Sequence, residues 1–300
     1  MSLAKKVKII FSAINEHPLA KKHKITAYFK FFKWQLSQLL FPGPRKLKFI
    51  GNTYLLASKG MTGATGNIYC GLHEFEDMAF LLHFLRSEDT FVDVGANIGS
   101  YTILASGVCG AKTVSFEPVP ETFVHLQNNI ELNRLEELVS LQNEAVGGRK
   151  GKVNFTSGLD TVNHVLSGNE QSGPKVIEVN INTLDSKLEN NHTTLLVKID
   201  VEGFETAVLN GMETTLKDKF LKAIIIELNG SGIRYGYSDK SIHDKLLANN
   251  FLPYQYDPFR RKLSVLHTYL ATNTIYLRDY AFVEQRIVSA KKVSIFSEVF

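Results

Sequence analysis

The sequence predicts an α/β protein: a mostly parallel sheet covered by helices on both faces, closed by a C-terminal antiparallel hairpin and preceded by an N-terminal helical arm. Three observations predict it. Between residues 90 and 249, short β-rich runs alternate with helix-period segments across short connections, the pattern of parallel strands joined by crossover helices. The β-rich runs 251–256, 263–266 and 274–277 follow one another without a long helix between them, so they turn back as antiparallel strands. A basic segment with helical periodicity stands in front of all this.

That segment is residues 1–42. Ile25, Phe29, Phe32, Leu36, Leu39 and Leu40 recur at helical spacing, an amphipathic pattern. Eleven Lys/Arg stand against one acid, Glu16, in the first fifty residues, whereas the rest of the chain carries 23 basic and 29 acidic residues. The expected arrangement is a helix that lays its apolar stripe on the body or caps the site. The alternative is a helix on a membrane surface, lysines toward lipid phosphates, as a peripheral contact. The run 7–11 is too short for a signal peptide and is broken by Lys8. The run 25–41 carries Lys30 and Lys33, which argues against a membrane span. Cys70 and Cys109 are far apart and outside any CxxC pattern. They point away from disulfides and zinc and toward a reducing, cytoplasmic setting. Pro42-Gly43-Pro44 ends the arm, and residues 43–300 are expected to form one domain.

Within that domain, 46–57 reads as one or two short strands, and Gly60, Gly63 and Gly66 punctuate a loop. A helix follows over 74–85. The alternation then runs strand 90–94, helix 98–106, strand 113–116, helix 120–133 with Pro120 in its first turn, and strand 139–146. Two β-rich pieces, 152–156 and 175–182, flank a polar stretch without periodicity. Strand 195–199, helix 204–216, strand 223–227 and helix 239–249 complete the alternation, and the last twenty residues look helical.

Phe91-Val92-Asp93-Val94-Gly95 passes from a strand straight into a turn, and Ile98 opens a helix. Ligands of open α/β sheets sit beyond the carboxyl ends of strands, where the strand order reverses. A dinucleotide site wants a second glycine two residues after the first, to admit a pyrophosphate. Here Asn97 stands in that place and the next glycine is Gly99. Asp93 adds a negative charge beside the turn, which repels phosphate and suits a sulfonium or an amino group. S-adenosylmethionine has both groups and no phosphate. It is therefore favoured over the nicotinamide cofactor of an oxidoreductase; a cofactor-binding protein without catalysis is the other alternative. Glu117, 24 residues after Asp93, ends the second strand, where an acid is placed to accept from two ribose hydroxyls.

Taken together, Phe91-Val92-Asp93-Val94-Gly95-Ala96-Asn97-Ile98-Gly99, Phe116-Glu117-Pro118, Lys198-Ile199-Asp200-Val201-Glu202-Gly203, Ile226-Glu227 and Asn273-Thr274-Ile275-Tyr276 resemble the FkbM family of S-adenosylmethionine-dependent methyltransferases. The likeness runs from about residue 60 to residue 279 in order and leaves out the arm. It implies a Rossmann-like methyltransferase fold with a seven-stranded sheet, and O-methylation of a hydroxyl on a natural product or glycan. It places Asp93, Gly95, Asn97 and Gly99 at the methionine end of the cofactor, Glu117 on the ribose, and Glu144, Ala145 and Val146 beside the adenine.

Methyl transfer to oxygen requires alignment of the acceptor and removal of its proton. Asp200 and Glu202 close the fourth strand, and i, i+2 residues of a strand share a side. Crowding raises the pKa of one of two such carboxylates, which suits a base. In the alternative reading Asp200 caps the next helix or holds the cofactor's amino group, and Glu202 pairs with Lys198. His164, in the run Asp160-Thr161-Val162-Asn163-His164, is the other candidate base because its pKa lies nearest neutrality. Asn163 beside it, with Glu227 and Asn229 at the end of the fifth strand, is a candidate substrate contact. Glu74, Glu76 and Tyr69 are further candidates near the cofactor, and Tyr235, Tyr237, Tyr254 and Tyr256 for stacking a sugar. The sequence has no HxH, HxxxH or clustered DxD with metal-ligand geometry, so no metal is predicted, and a divalent ion holding the substrate hydroxyl stays as an alternative that the sequence does not show. Val201-Glu202-Gly203 lacks the aromatic that stacks an extruded base, so the expected acceptor is a small molecule or glycan and not a nucleic acid.

Overall fold

In the computed structural model, which describes residues 3–159, 162–168, 175–188 and 193–300, the chain opens with helices α1 (Leu3–Glu16) and α2 (Lys24–Leu40) and a hairpin of β1 (Arg45–Lys48) and β2 (Tyr54–Ala57). Helices α3 (Thr62–Cys70) and α4 (Phe75–Phe84) follow. The alternation runs β3 (Thr90–Val94), α5 (Ser100–Ile103), β4 (Lys112–Phe116), α6 (Pro120–Asn133) and β5 (Val139–Gln142). It is interrupted by β6 (Ala145–Val146), β7 (Gly151–Ser157) and β8 (Lys175–Asn182). It resumes with β9 (Leu195–Ile199), α7 (Glu205–Asn210), α8 (Glu213–Lys217), β10 (Leu221–Glu227) and α9 (Asp239–Ala248). The chain ends with β11 (Leu252–Asp257), β12 (Lys262–Val265), β13 (Asn273–Leu277), α10 (Tyr280–Ser289), and a small hairpin of β14 (Ser294–Ile295) and β15 (Glu298–Val299).

Eight strands share one sheet in the order β12-β11-β13-β10-β9-β3-β4-β5. β5, β4, β3, β9 and β10 are parallel, and β13 runs antiparallel between β10 and β11. This is the Rossmann-like methyltransferase fold, with β12 as an eighth strand beyond the expected seven. The expected hairpin is β11–β12, with Tyr254 opposite Val265; β13 then inserts beside β10, Ile275 opposite Ile225. The strands β3, β9 and β10 are buried along nearly their whole length, which is why they read as continuous apolar runs. The strand order reverses between β3 and β9. The crevice past Val94 and Ile199 is therefore the place where this topology holds a ligand.

Four segments differ from the periodicity, each for a steric or packing reason. Gly63 and Gly66 lie in helix α3 and not in a loop; a Cβ on Gly66 would come within 2.3 Å of the His73 ring, so glycine lets the following turn fold back. The run 139–146 splits between two sheets, because β6 pairs with β8 in a three-stranded sheet with β7. The run 204–216 forms two helices, since at Gly211 a Cβ would meet the Gly147 carbonyl oxygen at 2.0 Å. After α10 the tail is a hairpin and not a helix, its Ile295 and Phe300 packed into the core under α4. In the polar stretch between β7 and β8, Asp160, Thr161 and residues 169–174 lie outside the described residues. Val165 bridges to Phe155 and carries the intervening chain onto the small sheet.

The arm corrects an expectation. Helix α2 buries Ala27, Phe31, Trp34 and Gln38, the first three in a cluster with Leu55, Ala64, Tyr69, Ala96 and Ile98. The stripe of Ile25, Phe29, Phe32, Leu36, Leu39 and Leu40 is exposed and does not pack on the body. Helix α2 is apolar on two faces, and the face bearing Phe31 and Trp34 is the one that docks, Phe31 edge-on to Phe11 and Tyr69. Among the described residues no helix is long and apolar enough to cross a membrane.

Candidate active site

The turn after β3 is held together from within. The N–H groups of Gly95 and Ala96 donate to the Phe116 carbonyl at 3.0 and 2.8 Å, and that of Gly99 to the Ala96 carbonyl at 2.9 Å. The Asn97 N–H donates to Glu117 Oε2 at 3.0 Å, and the Ile98 N–H to Asn97 Oδ1 at 2.8 Å. All five N–H groups from Gly95 to Gly99 are thus occupied by the protein. A loop that cradles phosphate needs them free. Gly95, at φ +84°, is required by contact: a Cβ would lie 1.9 Å from the Asp200 carbonyl oxygen. Gly99 does a different job, because its Cβ would strike Leu126 at 2.5 Å. It lets α6 approach the turn and is not on the cleft wall.

The cleft encloses about 1320 Å³, including the part open to solvent, and its wall contains Asp93, Gly95, Asn97, Glu117, Glu144, Ala145, Asn163, Asp200, Glu202 and Glu227. Asp93 is buried at its base. Its Oδ2 accepts from Thr102 Oγ1 at 2.7 Å, while Oδ1 finds no partner among the described residues. Burial raises the Asp93 pKa, against the opposing pull of Lys198. An orphaned carboxylate oxygen on the wall of an open cleft suits a ligand's ammonium group. Glu117 is also buried, its Oε1 accepting from the Val119 N–H at 2.9 Å, and burial pushes its pKa up to about 7. Each of its oxygens takes one backbone N–H and keeps a further acceptor site, which suits a diol. Glu144 is anchored by Asn182 and by Lys187, both at 2.5 Å, which fixes the wall where Ala145 and Val146 also lie.

At the other end, carboxylate oxygens of Asp200, Glu202 and Glu227 lie within 4.8 Å of one another. Asp200 and Glu202 are not strand neighbours, because β9 ends at Ile199. A left-handed Glu202, φ 54°, turns the chain so that Glu202 comes back beside Asp200. Lys198, only 3% exposed, pairs with Asp200 at 2.8 Å and sits 4.7 Å from the Tyr101 ring centre. Lys198 therefore serves Asp200 and not Glu202. Asp200 does not cap α7: the N-cap is Phe204, with no side-chain cap bond, and Glu205 at the first helical position accepts from the Val201 and Gly203 N–H groups. Burial, then the neighbouring carboxylates, push Glu202 up to about 7 and Glu227 to about 8. A cluster of three carboxylates, opposed by Lys198 and Arg234, holds a proton near neutrality, which is what a general base for a hydroxyl needs.

His164 is not brought to the wall. It is buried, its Nδ1 at 2.8 Å from the Val162 carbonyl and its N–H donating to Thr156 Oγ1, although Asn163 and Val165 on either side border the cleft. Asn229 is exposed, accepts from the Ser231 N–H at 2.9 Å, and also stands off the wall. Of the lesser candidates, Glu74 lines the cleft, whereas Glu76 does not. Tyr69 packs on Phe31, Tyr235 and Tyr237 pack around Phe204, and Tyr254 and Tyr256 lie in the core. The wall also holds Thr62, His73, Tyr101, Phe155 and Phe204, which sequence reasoning missed. Lys198 had a visible signal as the one polar residue of a buried strand.

A family model described as the methyltransferase FkbM domain matches residues 93–253, more than half of the chain. The chain belongs to the FkbM methyltransferase family. The matched region begins at Asp93 and takes in Glu117, Asp200, Glu202 and Glu227. This FkbM chain is 28% identical over 160 residues to the hexuronic acid methyltransferase AglP of Haloferax volcanii, a match covering 52% of the chain and 62% of the relative, so it spans less than two thirds of that relative's length. Among solved structures it is similar to precorrin-6y C5,15-methyltransferase from Geobacter metallireducens (9% identity, TM-score 0.39, 75% of this chain and 93% of that one). It is also similar to an S-adenosylmethionine-dependent O-methyltransferase from Thermotoga maritima (12% identity, TM-score 0.35, 67% and 62%). Likeness at such scores carries no weight for the site or the substrate.

Proposed function

We propose that this FkbM protein is an S-adenosylmethionine-dependent methyltransferase that methylates a hydroxyl of a sugar or glycan. One observation carries the reading. A buried Asp93 carboxylate with one oxygen unpartnered among the described residues stands beside a turn whose five N–H groups are all occupied. That arrangement receives an ammonium and offers nothing to a pyrophosphate, which favours S-adenosylmethionine over a nicotinamide dinucleotide.

S-adenosylmethionine bound there supplies a methyl carbon activated by its sulfonium. In this reading Asp93 holds the amino group, Glu117 the ribose hydroxyls, and Glu144 with Ala145 the adenine side. Gly95 lets the chain after β9 close against the turn on which the cofactor lies. Asp200, held by Lys198 at 2.8 Å, orients the acceptor, and Glu202 or Glu227 takes up the proton that the acceptor hydroxyl gives up. Asn163 reaches the acceptor from the small sheet. The sugar class rests on the likeness to the relative from Haloferax volcanii, a hexuronic acid methyltransferase. The arm takes no part in the chemistry and is a surface contact with a membrane.

The test is transfer of label from methyl-tritiated S-adenosylmethionine to glucuronide glycosides. Label should pass to the sugar, and Glu202→Gln or Glu227→Gln should reduce turnover by about a hundredfold or more while S-adenosylhomocysteine still binds. Binding without transfer to any uronide or neutral glycoside would overturn the sugar class; absence of S-adenosylhomocysteine binding would overturn the cofactor.

A further inference from the structure

We propose that the outward face of α2 is a docking surface for an anionic lipid bilayer, and that it holds the protein peripherally on that surface. The observation is the direction of the stripe. Ile25 is 88% exposed, Leu39 78% and Phe29 65%, and Phe32, Leu36 and Leu40 are each more than half exposed. A soluble surface scatters such residues singly; a contiguous row of six marks a contact surface. Ala27, Phe31 and Trp34 on the opposite face are locked into the core, so the stripe has no inward alternative.

The flanking charges identify the occupant. At 100° per residue, Lys33 lies about 80° from Ile25 around the helix on one side and Lys24 about 100° on the other. Both are exposed. A helix lying in the lipid interface has this layout, apolar side chains inward and lysines at the level of the headgroups. Exposed Lys21, Lys46 and Lys48 lie just beyond the two ends of the helix. The single acid of the first fifty residues is Glu16. A second copy of the chain is a poorer occupant, because a two-fold contact through this face would bring lysine against lysine. An anionic bilayer answers both features of the face: it accepts the apolar stripe and neutralises its rim.

The proposal rests on the membrane contact read for the arm, stands apart from the methyl transfer, and is tested on the full chain by flotation with vesicles. Wild type should float with phosphatidylcholine–phosphatidylglycerol vesicles, stay behind with pure phosphatidylcholine, and be released by salt. Phe29→Ser and Leu36→Ser should each lower the vesicle-bound ratio about tenfold. Lys24→Gln and Lys33→Gln should each lower it about fivefold. Melting temperature and S-adenosylhomocysteine binding should stay as in wild type, since these side chains pack on nothing in the cleft. Wild type that ignores anionic vesicles, binds neutral ones equally, or is unaffected by all four substitutions overturns the proposal. So does a dimer in solution that Leu36→Ser converts to monomer, because the face would then belong to a second copy.

Discussion

Gly95→Ala is the substitution that tests most sharply how the turn is built. Gly95 and Gly236 share a left-handed backbone, φ +84° and +75°. At Gly236 a Cβ meets nothing within 4 Å, whereas at Gly95 it would lie 1.9 Å from the Asp200 carbonyl oxygen. Gly236→Ala therefore isolates the backbone term, about 1–2 kcal/mol. Gly95→Ala adds a collision with main chain, which has no rotamer to escape into. Ordinary contact begins near 3.4 Å, so the end of β9 must retreat by about 1.5 Å, an overpacking cost of about 2–3 kcal/mol. At about 2–4 °C per kcal/mol, Gly236→Ala should lower Tm by about 2–8 °C and Gly95→Ala, at about 3–5 kcal/mol, by about 6–20 °C. The same retreat displaces Asp200 from Asp93, so S-adenosylhomocysteine should stabilise the Gly95 variant far less than wild type. The assay is a thermal melt of both variants with and without S-adenosylhomocysteine. Equal melting temperatures, with equal stabilisation by the ligand, would refute the close approach of the turn to β9.

Other outcomes follow from the carboxylate cluster. Since Glu202 and Glu227 titrate near 7 and 8, kcat/KM should rise with pH through that range and level off above it, as measured in a pH–rate profile. The stability effect has the opposite sign. A carboxyl whose folded pKa is raised above its unfolded value of about 4.3 favours the folded state at low pH, and that contribution is lost as pH rises through 7 to 8. Glu227→Gln should therefore gain Tm over wild type between about pH 6 and about pH 9, by on the order of a few degrees. Lys198→Met removes the cation of a buried pair and should destabilise by about 3 kcal/mol, the lower end for such pairs because the Asp200 side chain is 27% exposed. Unchanged denaturant midpoints would contradict it. His164→Ala, off the cleft wall, should keep turnover within about threefold, against the hundredfold loss expected for a general base.

The parts of the site that come from one stretch of chain were readable from sequence. Asp93, Gly95 and Asn97 carry their meaning in their spacing, and Glu117 follows at the end of the adjacent strand. Asp200, Glu202 and Glu227 were readable as strand-end acids, but their convergence depends on the pairing of β9 with β10 and on a left-handed turn at Glu202. No local pattern announces that turn. His73 and Thr62 reach the wall only because α3 and α4 fold over the end of the sheet, and neither has a sequence signal. Gly99 was readable as a required glycine but not as one required by Leu126, which lies 27 residues away. Helix α2 shows the limit of periodicity. Two faces are apolar, and the choice between them was decided by whether Phe31 and Trp34 or Phe29 and Phe32 fit over Tyr69, a tertiary fact.

The central claim is that the cleft takes a sulfonium nucleoside with its amino group on Asp93. Isothermal titration calorimetry with S-adenosylhomocysteine and with NAD tests it most directly. One molecule of S-adenosylhomocysteine should bind per chain, NAD should give no saturable heat, and Asp93→Asn should weaken binding by about thirtyfold or more, as loss of one partner of a buried charge pair does. Saturable NAD binding, or S-adenosylhomocysteine binding that survives Asp93→Asn unchanged, would contradict the account.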